Sequence, residues 1–556
     1  MCILDNGRVC PLSLVLLNMK YLLHIFVLLL FCLPSPAQQA PDYSEYILTP
    51  KAPDTPRING PKVCGARPKA DFLYRIPATG VRPIRFSAKG LPKGLKLDAG
   101  KGIISGKVCK KGSYKVQITA TNSLGSDSRE LRIEIGDRIA LTPPMGWNSW
   151  NCFGDKVTQE NILRAARALD ETGLADYGWC YVNIDDGWQG IRGGKYNAIQ
   201  PNGKFHDMKA LGDSLHARGF KFGVYSGPWI STYAAHIGSS CDNPEGKYWW
   251  LEDGIVDENC KLDVSKYDKG ELHSFGKYSF ARADARQWAD WGVDYLKYDW
   301  FLNDVWWLRD MREALDATGR DIVYSISNAT RISLAPDMWQ YANCWRTAGD
   351  IQDTWASVSN IAFDRESAWA GYAGPGHWPD ADMMVLGRVG GWEGSTAHWT
   401  RLTPWEQYSH VTLWAILSSP LLIGCDLDAM DDFTLSLLTN SEVLEVNQDP
   451  LGMMGVRNVF GPGKTQSVYV KRMEDGTLAV ALFNLKNEEN TISFVPRDLG
   501  LIGVQTIRDL WRQCEVGKVA DKERWQVTVP AHGCALYRLS PGVTDRKMEG
   551  KWWEIQ

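Results

Sequence analysis

Between Ile139 and about Asn447 the apolar positions repeat one unit: an amphipathic helical stripe, a glycine stop, then a short apolar run that ends in polar residues. Ile162, Ala166 and Leu169 form such a stripe ahead of Gly173 and Gly178, after which Cys180-Tyr-Val-Asn-Ile runs into Asp185-Asp186. Leu215 to Arg218 meets Gly219, and Lys221-Phe-Gly-Val runs to Tyr225. Trp288 to Trp291 meets Gly292, and Val293-Asp-Tyr-Leu runs to Lys297-Tyr-Asp299. Leu308 to Thr318 meets Gly319, and Asp321-Ile-Val runs to Tyr324-Ser325. Further strands are expected around Met145, Cys344, Trp378 and Leu421, eight in all, which predicts a (β/α)8 TIM barrel over residues 139–447 with its chemistry at the C-terminal strand ends.

The pattern differs on either side. Residues 43–137 alternate short β-type runs, such as Tyr114-Lys-Val-Gln-Ile-Thr-Ala-Thr and Leu131-Arg-Ile-Glu-Ile, with Gly, Pro and Asn turns. This predicts an N-terminal β-sandwich; Gly90-Leu-Pro-Lys-Gly-Leu-Lys-Leu, Gly106 and Thr119-Ala-Thr-Asn resemble bacterial Ig-like modules, which implies a spacer whose removal spares activity on small substrates. Residues 453–540, with runs such as Leu478-Ala-Val-Ala-Leu-Phe-Asn, predict a C-terminal antiparallel β-domain. The tail, 541–556, is left unassigned. Lys20, the apolar run Tyr21 to Leu33 and the small residues up to Ala37 form a signal peptide over residues 1–37, so the mature chain is expected to be secreted or periplasmic. No later stretch is long and apolar enough to span a membrane.

Composition changes this picture in three places. A formal net charge of −4 gives no basic field for nucleic acid. The 25 Trp are far above ordinary usage, and Trp offers sugars a flat apolar face and a donor, although large barrels also bury many aromatics. Of the 13 Cys, ten follow the leader, and Cys64 with Cys109, Cys241 with Cys260, and Cys514 with Cys534 are candidate disulfides. No Cys or His spacing fits zinc, so a structural metal is not expected.

The chemistry is carried by acids at the strand ends: Asp185, Asp186, Asp299, Asp350, Asp353, Asp380 and Asp382. Glycosidic bond hydrolysis needs two carboxyl groups on opposite sides of the bond, whereas single acids after strands often only cap the next helix. Lys297 stands two residues before Asp299 and points to the same face, where its charge should keep Asp299 ionised as a nucleophile requires. Arg346 and Asp350 share one segment, with Asp353 read as a cap or surface acid. Lys297, Arg346 and Tyr225 are suitable donors to hydroxyls and to developing charge.

Five ordered motifs then resemble glycoside hydrolase family 27, the α-galactosidase family: Pro144-Met-Gly-Trp-Asn-Ser-Trp150, Tyr181-Val-Asn-Ile-Asp-Asp-Gly-Trp188, Tyr295-Leu-Lys-Tyr-Asp299, Trp345-Arg-Thr-Ala-Gly-Asp350 and Gly374-Pro-Gly-His-Trp-Pro-Asp-Ala-Asp-Met383. The resemblance spans Leu141 to Leu539. It implies Asp299 as nucleophile and Asp350 as acid/base in a double displacement that retains configuration. It further implies that Trp150, Asp185, Asp186, Tyr225, Lys297, Arg346 and Asp382 line a galactose pocket, with Asp185 and Asp186 reading the 4- and 6-hydroxyls. The implied partner is a galactose-containing oligo- or polysaccharide, no cofactor is implied, and the oligomeric state stays open between monomer and homodimer.

Two departures bear on specificity, and a third, at Phe301, removes a family disulfide. Where the family carries Cys-Glu-Trp, or Cys-Ser-Trp in enzymes that accept N-acetylgalactosamine, this chain reads Tyr324-Ser-Ile-Ser-Asn-Ala-Thr. Ser327 takes the Glu position, and with Ala329 leaves room for a 2-acetamido group. The insertion from Ser226 to Phe280 is expected to build a wall that selects the leaving group, and Phe301 replaces a family cysteine. An α-N-acetylgalactosaminidase and a β-L-arabinopyranosidase therefore stand beside the α-galactosidase reading, with a catalytically silent galactose-binding protein and an adhesin or scaffold as the non-enzymatic ones.

Overall fold

The computed structural model describes residues 39–248, 260–263, 269–301, 303–363, 366–392, 395–460 and 466–540. The expected leader, the unassigned tail and part of the 226–280 insertion lie outside the described residues.

The central region alternates strand and helix throughout. Strand β1 (Met145–Asn148) leads to α1 (Gln159–Glu171), β2 (Tyr181–Asn183) to α2 (Met208–His216), and β3 (Lys221–Ser226) to α3 (Ala281–Trp291). Strand β4 (Tyr295–Asp299) leads to α4 (Val305–Asp316), β5 (Val323–Ser327) to α5 (Ala335–Tyr341), and β6 (Cys344–Arg346) to α6 (Trp355–Ala362). Strand β7 (Trp378–Asp380) leads to α7 (Pro404–Ile416), and β8 (Leu421–Ile423) comes last. All neighbours pair in parallel in chain order. The sheet closes on itself where Met384, just past β7, bridges Ile423, its N–H donating to the Leu422 carbonyl at 2.8 Å. The expected TIM barrel is the observed one.

Local chemistry explains why the units form. Thr158 opens α1 by accepting from the Asn161 N–H while Asn161 accepts in return from the Thr158 N–H, and Ile162, Ala165, Ala166 and Leu169 are the buried stripe. Asp207 caps α2 and Asp304 caps α4, so two acids near strand ends do have only that role. Helix α3 stops at Gly292, whose φ of +84° is cheap only for glycine. Helix α7 is buried on every face because the C-terminal domain covers the side turned away from the barrel.

That domain is a six-stranded antiparallel sheet with a separate strand pair, Asn490–Phe494 and Trp525–Val529. Trp511 donates its indole N–H to Thr412 Oγ1 of α7 at 2.9 Å. Nine of the largest fully buried side chains are Trp, so much of the tryptophan excess is core, as large barrels allow.

The N-terminal module has a four-stranded sheet packed on a three-stranded one, with Val116, Ile118, Leu131 and Ile133 turned inward by the strand alternation. It is not a free spacer. Cys64, Gly65 and Tyr74 share one cavity with Met145, Tyr181 and Lys221, so the module sits on the N-terminal face of the barrel, away from the strand ends that carry the acids. Arg67 pairs with Asp316 and Asp321, Arg75 with Asp170, Arg82 with Asp176 and Lys62 with Glu445. Partly exposed pairs contribute about 0–1 kcal/mol each, so they orient the module while it keeps Ile139 and Leu141 from water. A chain starting at Ile139 is expected to melt several degrees below the full chain in calorimetry; equal melting temperatures would restore the spacer reading.

The cysteine expectation is also corrected, because none of the three expected disulfides forms among the described residues. Cys64 lies in the four-stranded sheet, whereas Cys109 follows a strand of the other sheet and is exposed. Cys514 and Cys534 begin strands separated by a third, Gln505–Asp509. Cys241 is buried and donates to the Lys247 carbonyl instead of bonding Cys260. Nearness along the chain does not bring the thiols together.

Candidate active site

At the C-terminal end of the barrel lies a cavity of about 270 Å³. Trp150, Asp185, Asp186, Tyr225, Lys297, Asp299, Asp350 and Asp382 all border it. They come from the ends of β1 through β4, from the segment after β6, and from the turn after β7, so only the closed barrel brings them together. Asp185 and Asp186 can turn inward because Gly187 follows with φ +110°, and a Cβ there would meet the Asp155 carbonyl at 2.7 Å.

Asp299 ends β4 and is buried. Both of its oxygens are held by protein: Tyr225 donates its hydroxyl to Oδ2 at 3.0 Å, and Asn328 donates Nδ2 to Oδ1 at 3.0 Å. Lys297 shares the face of Asp299, as the spacing predicts, but its direct partner is Asp185, Nζ to Oδ2 at 2.8 Å. The cation therefore acts on Asp299 through space. Burial pushes Asp299 up to about 6; Lys297 and Arg346 lower it, while Asp350 and Asp185 raise it. Lys297 lowers Asp299, the direction expected of it, but burial is the larger effect.

Asp350 stands at the mouth with its side chain 76% exposed, held by Arg346 at 3.2 Å. Desolvation raises it, but the charges of Arg346 and Lys297 outweigh that and leave it below the ordinary carboxylate range. Asp382, at φ +80°, accepts from Arg346 at 2.7 Å and from the Ile351 N–H at 2.7 Å. Asp186 accepts from Thr232 Oγ1 and the Ala234 N–H, both at 2.8 Å, yet burial still pushes it up to about 7. The pocket thus concentrates carboxyl groups around two cations and shares protons among the acids.

Two residues expected in the pocket are placed elsewhere. Arg346 is buried behind Asp382 and Asp350 and does not border the cavity; it fixes them and is not itself on the pocket surface. Ser327, the last residue of β5, is buried with its hydroxyl unpaired and also lies off the cavity. Asn328 borders it instead, turned outward by a left-handed backbone at φ +74°. Asp353 is neither cap nor surface acid: it is fully buried, accepting from the Arg401 N–H and guanidinium and held by His398.

The cavity also has walls from Tyr233 in the insertion after β3 and from Trp392 in the loop after β7, neither of which the motifs single out. The only sequence signal for them is aromatic content in loops that follow barrel strands. Of the Trp residues, Trp150 and Trp392 border the cavity.

A TIM barrel with acids from several strand ends around a monosaccharide-sized cavity defines a glycoside-hydrolase type of site. The family described as alpha-galactosidase A matches residues 142–246 and 251–449, the alpha-galactosidase C-terminal β-sandwich family matches 463–539, and an Ig-domain family matches 55–136. Alpha-galactosidase 3 of Arabidopsis thaliana is 34% identical over 434 residues, covering 76% of this chain and 86% of that protein. A solved Bacteroides fragilis structure is 34% identical with a TM-score of 0.74, covering 87% of this chain and 97% of that one. The β-L-arabinopyranosidase structure from Geobacillus stearothermophilus is 30% identical with a TM-score of 0.61, covering 73% and 98%. The chain belongs to glycoside hydrolase family 27, the α-galactosidase family.

Proposed function

We propose that the chain is a retaining exo-glycosidase that removes terminal α-D-galactosyl residues from oligo- or polysaccharides, with Asp299 as nucleophile and Asp350 as acid/base. The observation that carries this reading is one cavity, sized for a single sugar ring, bordered by both carboxyl groups. In the first step an Asp299 oxygen bonds to the anomeric carbon as its bond to the leaving oxygen breaks, and that oxygen takes the Asp350 proton. In the second, Asp350 takes a proton from water, whose oxygen bonds to the same carbon and frees Asp299. Tyr225 and Asn328 keep the Asp299 oxygens in place through both steps. Lys297, tied to Asp185, borders the same cavity as a donor to sugar hydroxyls.

Family membership makes α-galactoside the leading substrate, and the relatives' names support it. Asn328 bears on the 2-acetamido alternative. It is hydrogen-bonded to the nucleophile and borders the cavity, whereas Ser327 and Ala329, the small residues expected to leave room there, do not. Matched aryl α-galactoside, α-N-acetylgalactosaminide and β-L-arabinopyranoside, with the first-formed anomer followed by NMR, test the proposal. Preference for the α-galactoside with retention supports it; preference for another glycoside moves the specificity, and an inverted product removes the mechanism. The basic-then-apolar pattern of residues 20–37 supports action outside the cytoplasm, which N-terminal sequencing of the mature protein would check.

The pair must carry one proton, on Asp350, when the bond breaks. In the free enzyme the second proton of the pair leaves Asp299 at about 6, while Asp350 titrates lower. The productive arrangement contains the same number of protons as the dominant singly protonated form, so kcat/KM follows the singly protonated pair. It is expected to rise as the first proton leaves and to fall about tenfold per pH unit above about 6. A profile flat to pH 8 would contradict this assignment. Replacing Asn328 by Ala removes one of the two protein donors to Asp299 and should lower kcat roughly tenfold or more, with galactose affinity little changed, in steady-state kinetics and product-inhibition measurements.

A further inference from the structure

The cavity holds one sugar ring, so everything beyond the scissile bond lies outside it, on the rim. That rim is unusually aromatic on one side. Tyr233 borders the cavity and is 39% exposed; the Phe301 main chain lies against its hydroxyl, and the Phe301 ring is 55% exposed. Trp306, at the start of α4, is 48% exposed and packs edge-on against Trp307 at 4.6 Å. Trp307 stacks in turn on Phe275, at 4.9 Å and 9° between planes, and Phe275 is 40% exposed. Phe301 lies in the link from β4 to α4, just after Asp299, and Trp306 lies in the first turn of α4. The rings therefore continue from the catalytic cavity along the C-terminal face of the barrel.

Several features of these rings point to a binding role. A Trp, a Phe and a Tyr left this exposed beside one pocket expose apolar area that folding alone would bury. Ring-on-ring packing fixes the planes of Trp306, Trp307 and Phe275, so little side-chain freedom is lost when something is laid on them. Flat rings with a Tyr hydroxyl beside them match a pyranose, which presents C–H faces to stack and hydroxyls to bond. Carboxyl groups crowd the adjacent cavity, which disfavours acidic ligands and favours neutral sugars.

We propose that Phe301 and Trp306, the latter backed by Trp307 and through it by Phe275, form the binding platform for the sugars on the leaving-group side, so that the substrate is a galactosyl unit on a neutral saccharide chain of at least two further sugars. This rests on the reading of Asp299 and Asp350 as the catalytic pair, and it gives the insertion after β3 its part in leaving-group selection through Phe275 and Tyr233.

The test compares the full chain with F301A, W306A and the double variant on two substrates. α-Galactosyl fluoride has a leaving group of one atom and touches no platform; α-galactosyl-mannotriose carries neutral sugars across it. Both residues are exposed, so thermal melts should be unchanged. The double variant is expected to lose roughly tenfold or more in kcat/KM on the oligosaccharide, mainly through KM, and less than twofold on the fluoride. Equal losses on both substrates, or none on the oligosaccharide, would overturn the platform. Calorimetric binding of the oligosaccharide to Asp299→Asn protein, with and without F301A and W306A, separates the two readings. If the ring substitutions weaken binding while wild-type protein hydrolyses neither substrate, the platform stands and the catalytic pair falls. If binding is insensitive to the rings, the platform falls whatever the turnover.

Discussion

Asp299→Asn is expected to leave a folded, galactose-binding protein whose turnover is lower by a factor on the order of 10⁴ or more. The substitution keeps the shape and retains an oxygen able to accept from Tyr225 or Asn328, so the buried site should not collapse. It removes the anionic oxygen that must bond to the anomeric carbon, and no neighbouring acid can take over. Asp185 is held by Lys297, and Asp382 by Arg346 and the Ile351 N–H. Steady-state kinetics with calorimetric galactose binding decides the matter. Turnover within tenfold of wild type would remove Asp299 from its role, and loss of galactose binding would show that the variant tests architecture instead of chemistry.

Asp350→Ala should produce a loss that depends on the leaving group. Alkyl and sugar α-galactosides need a proton on the departing oxygen and are expected to slow by roughly 10²–10⁴-fold. α-Galactosyl fluoride and galactosides of acidic phenols leave with little help, so their first step should be nearly spared. For those substrates the second step becomes limiting, because water then lacks its base. Galactosyl-enzyme would accumulate, visible as a burst of phenol, and added azide should accelerate turnover by giving a galactosyl azide of unchanged anomeric sense. The side chain is 76% exposed and, among the described residues, pairs with Arg346, so its removal costs little stability. A uniform loss across leaving groups would contradict the acid/base assignment.

Much of this site is legible along the chain because a barrel converts a repeated sequence unit into one ring. Each helix, glycine and short apolar run delivers its next polar residue to the same face, so the order of the units alone is enough to bring Asp185, Asp299 and Asp382 together. What the unit cannot specify is which groups meet across the mouth. Spacing puts Lys297 and Asp299 on one face, yet the lysine bonds Asp185 at the end of β2, since reach between strands decides the partner. Ser327 holds the motif position, but it ends β5 buried off the cavity, and it is the next residue, in a conformation Asn tolerates better than most, that reaches the pocket. Tyr233 and Trp392 come from long connections that carry no periodicity. Asp353 reads as a surface acid because its partners, Arg401 and His398, lie far along the chain. The same limit applies to the Ig-like module: arginines at polar strand positions read as solvent-facing, while Arg67 and Arg75 bind acids of the barrel.

The central claim is that Asp299 forms a bond to the sugar. The most direct measurement is peptide mass spectrometry after incubation with 5-fluoro-α-galactosyl fluoride, whose good leaving group speeds the first step while its ring fluorine slows the second. The account predicts one fluorogalactosyl unit per chain, on the peptide containing Asp299 and absent from Asp299→Asn protein. A label on another residue, or no label from an enzyme whose natural product is inverted, would contradict it.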